Sequence, residues 1–293
     1  MCPNPSFPIY ESMINFCGAE AVPIRLMEDE GYHIDLDDMA AKLSDRTKLV
    51  ILNSPQNPAG CIMTKKELDI VAGLLEERDD VYVLSDEIYK DIIYDGQHSS
   101  IASYPHMLDQ TIILDGFSKS FAMTGWSLGW AVLPTTDEAA IFKQLNINII
   151  SCVPPFLQEG GRAAYEDPST IKTVSEMVAA FERRRDGGVP ALNSITGVTC
   201  QLPKGSFYVF PNVAGACDRL GIFEAYEALS STAKRKTTPA GMLQMFLLYQ
   251  YGVATMDRAS VSYTHLRDHE NSLHLVCRLL LEKKKGGGGG GGG

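Results

Sequence analysis

The feature that most constrains the fold of this chain is a regular alternation of short apolar runs with helical patterns between residues 8 and 134. Apolar runs rich in β-branched residues occupy residues 21–26, 48–53, 81–85, 111–115 and 128–133. Runs of this kind are typical of strands that are buried on both faces, as in a parallel sheet covered by helices. The sequence therefore predicts an α/β fold, a three-layer sandwich around a mainly parallel sheet.

The helices and the remaining strands have signals of their own. Thr64 and Glu67 form a capping-box pattern, which predicts a helix that begins there and runs to about Arg78. Later patterns predict helices at 136–148, 155–185 and 242–249 and strands at 198–201 and 206–210. We predict a large domain over residues 1–150 and a smaller α+β domain over residues 151–260.

The last stretch, residues 261–293, continues no pattern that precedes it. It closes with Glu282, three lysines and an unbroken glycine run over residues 286–293. Because GAA encodes glutamate, AAA lysine and GGG glycine, this ending translates an A-run followed by a G-run. We interpret the residues from about Val261 onward as translated sequencing or adapter sequence. The alternative is a helix over residues 273–281 followed by a flexible tag.

Charge and composition exclude several classes of protein. The formal net charge is −10 and no basic stripe is present, so a nucleic acid is not expected as a partner. The 7 cysteines are scattered without a C-x-x-C pair, which argues against a zinc site, and no metal is expected. The first residues lack the pattern of a signal peptide, and no apolar run approaches the ~20 residues of a membrane helix. We expect a cytoplasmic enzyme that does not cross a membrane.

Polar motifs follow three of the predicted strands at the point where each strand ends. They are N-P-x-G at residues 57–60, S-D-E-x-Y at residues 85–89 and S-K-x-x-x-x-x-G-x-x-x-G at residues 118–129. A fourth motif, P-K-G-S-F-Y at residues 203–208, lies in the predicted small domain. In an open α/β sheet, residues just beyond the carboxyl ends of the strands converge on one crevice, where ligands bind. We therefore expect the polar groups of the first three motifs to meet in space.

The order of these motifs resembles that of the class I/II aminotransferases, which are fold-type I enzymes that depend on pyridoxal 5′-phosphate (PLP). Residues 5–11 and 203–208 also look like this family, and the similarity covers roughly residues 3–258. The resemblance, which is to the aspartate-aminotransferase-like members, implies the large PLP-binding domain of fold type I, incomplete here, and a smaller α+β domain. It also implies PLP as the cofactor.

By this resemblance, Lys119 is the catalytic residue that holds PLP as a Schiff base and later moves a proton on the substrate. The chemistry requires an amine at the aldehyde carbon of the cofactor, and a lysine supplies it. Asp86 is implied as the acid that keeps the pyridine nitrogen protonated, because a buried carboxylate favours a cationic partner. The alternative for Asp86 is a helix N-cap, a role for which Glu87 is equally suited.

Four further residues are implied as cofactor-binding. Asn57 and Tyr89 match the pair that hydrogen-bonds the phenolic oxygen of PLP, although an ordinary turn residue and an ordinary core aromatic would give the same pattern. Phe7 matches the aromatic residue that stacks on the pyridine face, with simple core packing as the alternative. Ser118 matches a hydroxyl that binds the phosphate.

Ser127 departs from the family pattern. Relatives usually carry an arginine there, eight positions after the lysine, and it grips the PLP phosphate as a charged, bidentate partner. We count Ser127 as a cofactor-binding position that lacks this charged group. The resemblance also implies that the chain is truncated at both ends, since relatives carry a phosphate-binding loop before its first residue and a substrate-carboxylate arginine beyond the region of Arg258.

The resemblance implies an aminotransferase that moves an amino group between an L-amino acid and a 2-oxo acid through the Lys119 Schiff base. These two acids are the expected partners, and full-length members of the family are homodimers. One alternative is a PLP-dependent lyase or synthase on the same fold, similar to cystathionine β-lyase or aminocyclopropane-carboxylate synthase. The other is a non-catalytic PLP-binding regulatory module or an inactive fragment.

Overall fold

The computed structural model describes residues 1–257 and the backbone of residues 275–278. A first sheet contains β1 (Cys2–Asn4), β2 (Pro23–Met27) and β3 (His33–Ile34), with β1 parallel and β3 antiparallel to β2. Met1 connects this sheet to the next strand along the chain. Its carbonyl accepts from the N–H of Ile51 at 2.9 Å, and its amino group donates to the carbonyl of Leu49 at 2.6 Å.

The main sheet has four strands, β4 (Leu49–Asn53), β5 (Tyr82–Asp86), β6 (Thr111–Gly116) and β7 (Gly129–Val132), in that order. The first three strands are parallel, and β7 is antiparallel to β6. Asn53 lies opposite Asp86, and Asp86 lies opposite Leu114, so the three parallel strands end at the same edge. The predicted α/β fold with a mainly parallel sheet is confirmed.

Helices follow most of the strands. In the described residues they are α1 (Pro8–Phe16), α2 (Leu36–Lys42), α3 (Lys65–Leu75), α4 (Thr136–Ile150), α5 (Pro155–Glu166), α6 (Ser169–Asn193), α7 (Ala214–Arg219), α8 (Ile222–Glu227), α9 (Ser231–Lys234) and α10 (Pro239–Tyr251). The predicted start of α3 is confirmed by its capping box. The carboxylate of Glu67 accepts from the N–H of Thr64 at 2.6 Å, and the hydroxyl of Thr64 accepts from the N–H of Glu67 at 3.2 Å. The helix ends at Leu75, before the predicted Arg78.

The main hydrophobic core lies between the central strands and α3. Val50 and Val83 from the sheet pack in one cluster with Leu68 and Val71 from α3, and Phe181 of α6 packs against the same cluster. Burying an aliphatic side chain of this size contributes about 1.5–3 kcal/mol. This core holds the strands rigidly, so the loops at their carboxyl ends start from defined positions.

Two predicted elements differ from the structure. The helix predicted over residues 155–185 is two helices, α5 and α6, because the chain leaves helical geometry at Asp167, where ψ is 119°. A proline disfavours the helical conformation in the residue before it, and Pro168 follows. The strand predicted over residues 198–201 is wrong. Thr199 there forms an isolated bridge with Asn212.

A second, smaller group of buried side chains comes from the C-terminal part of the chain. Its members are Val198, Val213, Cys217, Ile222 and Leu243. In the same part, β8 (Tyr208–Val209), β9 (Met256–Asp257) and β10 (Leu275–Arg278) form an antiparallel sheet in the order β8-β10-β9. The domain boundary at residue 150 and the interpretation of the residues from about Val261 as adapter sequence stay predictions, whereas the alternative of a helix over residues 273–281 is wrong, because the backbone there forms the strand β10. Apart from the backbone of β10, those residues lie outside the described part of the chain.

Across residues 1–257, no helix combines the length and the apolar character that crossing a lipid bilayer requires.

Ser206 offers a test of the packing around the fourth motif. It is fully buried, its φ is 59°, and its hydroxyl has no hydrogen-bond partner among the described residues. Glycine adopts this backbone conformation without strain and carries no hydroxyl, so Ser206→Gly is expected to raise the free energy of unfolding by about 1 kcal/mol. Urea unfolding measures this change. The control Ser194→Gly, at a helical φ of −77°, should give no such gain, and a destabilised Ser206→Gly would contradict the expectation.

Candidate active site

Asn53, the last residue of β4, links the loop after β4 to the end of β5 through two hydrogen bonds. Its side-chain NH₂ donates to the backbone carbonyl of Asp86 at 3.0 Å, and its side-chain oxygen accepts from the backbone N–H of Asn57 at 2.8 Å. The loop after β4 is therefore held against the end of β5. Asn57 is buried in that loop, so the first two motifs lie side by side, as the strand-end argument predicts.

Asp86 uses both carboxylate oxygens at the end of β5. Oδ2 accepts from the hydroxyl of Tyr10 at 2.5 Å, and Oδ1 accepts from the N–H of Ile88 at 3.2 Å. Burial raises the pKa of Asp86 and the charge of Asp115 adds to the rise, whereas Tyr10 and Lys119 oppose it. A carboxylate held in such surroundings is stabilised by a cationic partner. No α-helix begins directly after β5, so the N-cap alternative for Asp86 is wrong, and its Oδ1 closes a turn through the N–H of Ile88.

The neighbouring Glu87 has a separate structural role. Its carboxylate accepts from the hydroxyl of Ser85 at 2.8 Å and lies 2.9 Å from Nε2 of His98. Burial alone would raise the pKa of Glu87, but the hydrogen bonds from His98 and Ser100 lower it. Glu87 therefore anchors the loop after β5 and leaves Asp86 as the carboxylate at the strand ends.

The start of α1 brings two aromatic side chains to this edge, those of Tyr10 in the helix and of Phe7 directly before it. Tyr10 is buried, and burial together with the charge of Asp86 raises the pKa of Tyr10 well above the ordinary value. Its hydroxyl therefore stays protonated and donates a hydrogen bond to Asp86. A hydrogen bond to a charged group contributes about 1.5–3 kcal/mol. Half-buried Phe7 lies edge-on to Tyr10, with ring centroids 5.8 Å apart.

Lys119 follows β6 and points its amine toward aromatic rings. Nζ lies 5.7 Å from the ring centroid of Tyr89 and 5.6 Å from that of Phe207. A cation is attracted to the faces of such rings. Tyr89 is buried, and its hydroxyl hydrogen-bonds that of Tyr208 at 3.1 Å. The amine is thus surrounded by residues from the second and the fourth motif.

Gly60 joins the first motif to the fourth. Its carbonyl accepts from the N–H groups of Lys204 at 2.9 Å and Gly205 at 3.0 Å. Its φ is 72°, and a Cβ added to it would lie 2.4 Å from Cβ of Pro203. A residue without a side chain is required at this close approach. All four motifs therefore come together at the carboxyl edge of the main sheet.

Comparison with known proteins gives a family for this arrangement. Residues 1–273 match the family model described as aminotransferase class I and II. The chain belongs to this family.

Individual members of the aminotransferase family are similar to this chain in sequence and in fold. It is 37% identical to an aspartate aminotransferase of Musicola paradisiaca over 214 residues. This aligned region covers 73% of this chain and 52% of the relative. Its fold is similar to that of an aromatic aminotransferase from Pyrococcus horikoshii, with a TM-score of 0.77 and 28% identity over 95% of this chain and 67% of the other. An aspartate aminotransferase from Rhizobium meliloti gives a TM-score of 0.79 and 26% identity over 96% and 66% of the two chains. The chain spans about half the length of the curated relatives it matches.

Two predicted positions of this aminotransferase-family chain remain, Ser118 and Ser127, and a further serine, Ser120, lies between them in the sequence. Ser118 is half-buried, and its carbonyl accepts from the hydroxyl of Thr124 at 2.9 Å. Ser120 is buried, and its hydroxyl has no partner within the described residues. Ser127 is exposed in a left-handed turn with φ of 49°. The structure thus places Ser118 and Ser120 inside the loop of Lys119 and Ser127 at its surface.

Sequence reasoning missed several residues that shape this aminotransferase-family site. Tyr10, Phe207 and Tyr208 lie inside motifs that carried the resemblance, yet no separate role was predicted for them. Asn53 lies at the end of a predicted strand, four positions before the first residue of the first motif. Its position at a strand end was the available signal, but its two hydrogen bonds depend on the parallel register between β4 and β5.

Proposed function

We propose that this chain is the core of a PLP-dependent aminotransferase that moves an amino group between an α-amino acid and a 2-oxo acid. The observation that carries the proposal is the placement of Lys119 and Asp86 at the ends of adjacent strands, where the charge of Lys119 acts on Asp86, Tyr10 holds Asp86, and the amine of Lys119 lies near two aromatic rings. Membership of the aminotransferase family supports it, as do relatives named aspartate and aromatic aminotransferases.

The residues present fit PLP at its ring and its aldehyde. Asp86 is an oriented, half-buried carboxylate that would face the ring nitrogen, and the amine of Lys119 would carry the cofactor. Asn57 and Tyr89 would face the phenolic oxygen, and Phe7 would stack on the ring. On the phosphate side, the loop that carries Lys119 offers two side-chain hydroxyl groups, that of Ser118 and that of the buried Ser120, which has no hydrogen-bond partner within the described residues.

When bound, PLP supplies an aldehyde that condenses with amines and a pyridine ring that withdraws electrons from the substrate. Three side chains of this chain would then have separate roles in the reaction. Lys119 would give up its bond to the cofactor when the amine of the substrate takes its place, and its own freed amine would then move a proton at the substrate Cα. Tyr10 would hold Asp86 in one orientation through its short hydrogen bond, and Asp86 would hold a proton on the ring nitrogen by charge attraction.

The test of this proposal separates transamination from the other reactions of the fold. The protein is loaded with PLP and given single amino acids, and the products are measured. A 2-oxo acid formed together with pyridoxamine phosphate supports the aminotransferase. Release of ammonia or of a side-chain fragment, with the cofactor returned as PLP, would instead show a lyase. A chain that binds PLP at Lys119 without any turnover would correspond to the regulatory alternative or to an inactive fragment. By analogy with the family, we expect the full-length parent of this chain to form a homodimer.

Ser127→Arg is expected to tighten PLP binding. A charged, bidentate phosphate contact contributes about 1.5–3 kcal/mol, which lowers the dissociation constant roughly ten- to hundredfold. A fluorescence or absorbance titration with PLP measures the change. Ser151→Arg is the matched control, because Ser151 is also exposed with positive φ, at 65°. Equal affinities for the Ser127→Arg variant and the unmodified chain would argue against a phosphate site at this position.

A further inference from the structure

Lys90 and Asp115 form an ion pair next to the proposed site. Nζ of Lys90 lies 2.9 Å from Oδ2 of Asp115, whose side chain is only 4% exposed. Oδ1 of Asp115 accepts from the N–H of Gly116 at 2.6 Å. A carboxylate removed from water in this way is tolerated when an opposite charge and hydrogen bonds compensate it, and Lys90 supplies that charge.

The register of the main sheet places this pair close to Asp86. Asp86 on β5 lies opposite Leu114 on β6, and Asp115 is the next residue along β6. With strands about 4.8 Å apart and a rise of about 3.3 Å per residue, the two aspartate Cα atoms are roughly 6 Å apart. Their side chains leave the sheet on opposite faces, so the carboxylates do not touch. Like charges at such a separation still repel each other through the protein interior.

Resting on the function proposed above, we infer that Lys90 is a positioning residue for the reaction. By neutralising Asp115, it removes a competing negative charge from the neighbourhood of Asp86 and so preserves Asp86 as the anion that would hold the cofactor ring. Lys90 itself contacts neither the substrate nor the cofactor. It acts through the carboxylate of Asp115.

The side chains that influence the ionisation of Asp86 come from three parts of the chain. Tyr10 approaches from α1, Lys119 from the loop after β6, and Asp115 from β6 itself. Of these, Asp115 is the one that opposes ionisation of Asp86, and it adds to the rise in pKa that burial causes.

The surroundings of Asp115 are equally defined. Burial raises its pKa and Lys90 opposes that rise, while the exposed Asp91 adds to it from the loop after β5. Asp91 also lies 2.9 Å from the amine of Lys90. Among the charged side chains around Asp115, Lys90 is therefore the one that favours its ionised form.

The inference predicts opposite effects for the two partners of the pair. Lys90→Met leaves Asp115 without its compensating charge, so proton uptake by the Asp86–Asp115 set should move to higher pH. Asp115→Asn leaves the positive charge of Lys90 near Asp86, so Asp86 should titrate at lower pH. The double variant carries neither charge and should return close to the unmodified chain. An ion pair with a merely structural role would lower the stability of both single variants and leave the titration of Asp86 unmoved.

The first experiment uses the full chain without cofactor. Aspartate labelled with ¹³C at Cγ is incorporated, the Asp86 signal is identified by its loss in Asp86→Asn, and its pH titration is followed by NMR. We expect the midpoint to move by about half a pH unit or more in opposite directions in the two single variants. Lys48→Met, which breaks the exposed pair between Lys48 and Asp80, is the control and should not move it. Midpoints that stay unchanged, or that move in the same direction in both single variants, overturn the inference.

The second experiment adds PLP and an amino acid to the same variants. The acidic limb of the half-reaction rate should shift in the same directions as the NMR midpoints. If the cofactor is attached to Lys119 and the acidic limb does not move, the positioning role is overturned while the proposed function stands. If the NMR midpoints move but no PLP becomes attached to Lys119, the proposed function fails, and the positioning role fails with it.

Discussion

Replacement of Lys119 by alanine is expected to abolish covalent attachment of PLP to the chain. The attachment needs an amine at the strand-end loop, and the Nζ atom of Lys119 lies 5.7 Å from the ring centroid of Tyr89 and 5.6 Å from that of Phe207, where its charge acts on Asp86. Reduction of the loaded protein with borohydride followed by peptide mass spectrometry detects the attachment site. In the unmodified chain the mass of the reduced cofactor should appear on the peptide that contains Lys119. In the variant it should be absent and turnover should be lost.

Lys204→Ala is the matched control for this experiment. Lys204 is an exposed lysine in the fourth motif, close to the same loops, and it holds Gly60 through its backbone N–H and not through its side chain. The control variant should keep the label on Lys119. A label that persists after Lys119→Ala, or that lies on another lysine of the unmodified chain, would remove the basis of the proposed function.

Asp86→Asn is expected to slow the half-reaction with an amino acid by a hundredfold or more while PLP stays attached to Lys119. The substitution keeps the size of the side chain but removes the charge that would favour a protonated ring nitrogen. Each pKa unit lost at that nitrogen corresponds to about 1.4 kcal/mol, and each such step in the barrier is tenfold in rate. Stopped-flow absorbance of the bound cofactor measures the rate.

Two controls separate this electrostatic effect from damage to the fold. Asp95→Asn neutralises an exposed carboxylate on the loop after β5 and should leave the rate unchanged. Asp86→Ala also removes the acceptor for the hydroxyl of the buried Tyr10, so it should lower the free energy of unfolding by about 1–3 kcal/mol, whereas Asp86→Asn can still accept that hydrogen bond. A full rate in Asp86→Asn would show that Asp86 does not act on the cofactor.

Much of the fold could be predicted from the sequence because its signals are local. Apolar, β-branched runs predicted the strands that became β2, β4, β5, β6 and β7, and the capping box predicted the start of α3. The two errors have different causes. The helical periodicity extends across residues 155–185 without a break, so it does not indicate that Pro168 ends the helix at Asp167. The strand predicted over residues 198–201 has the expected composition but lacks a partner strand in the described chain, and strands need pairing to form.

The candidate site could likewise be predicted from the sequence only in part. The order of the four motifs was enough to predict that Lys119, Asp86, Asn57 and Tyr89 lie at one edge of a parallel sheet, because parallel strands all end on the same side. The roles of these residues toward PLP stay predictions. The sequence did not predict that Tyr10 donates to Asp86, since the two residues are 76 positions apart and meet only when α1 packs against the end of β5.

Most of the elements, the residues near the strand ends and the similarity to the family could be inferred from the amino-acid order, because propensity, periodicity and motif order depend on residues that are near in sequence. Which charges act on one another depends instead on the folded arrangement. The ion pair of Lys90 with Asp115 and its nearness to Asp86 depend on the register between β5 and β6. Electrostatic interaction depends on distance and burial, and neither quantity is defined until the chain has folded.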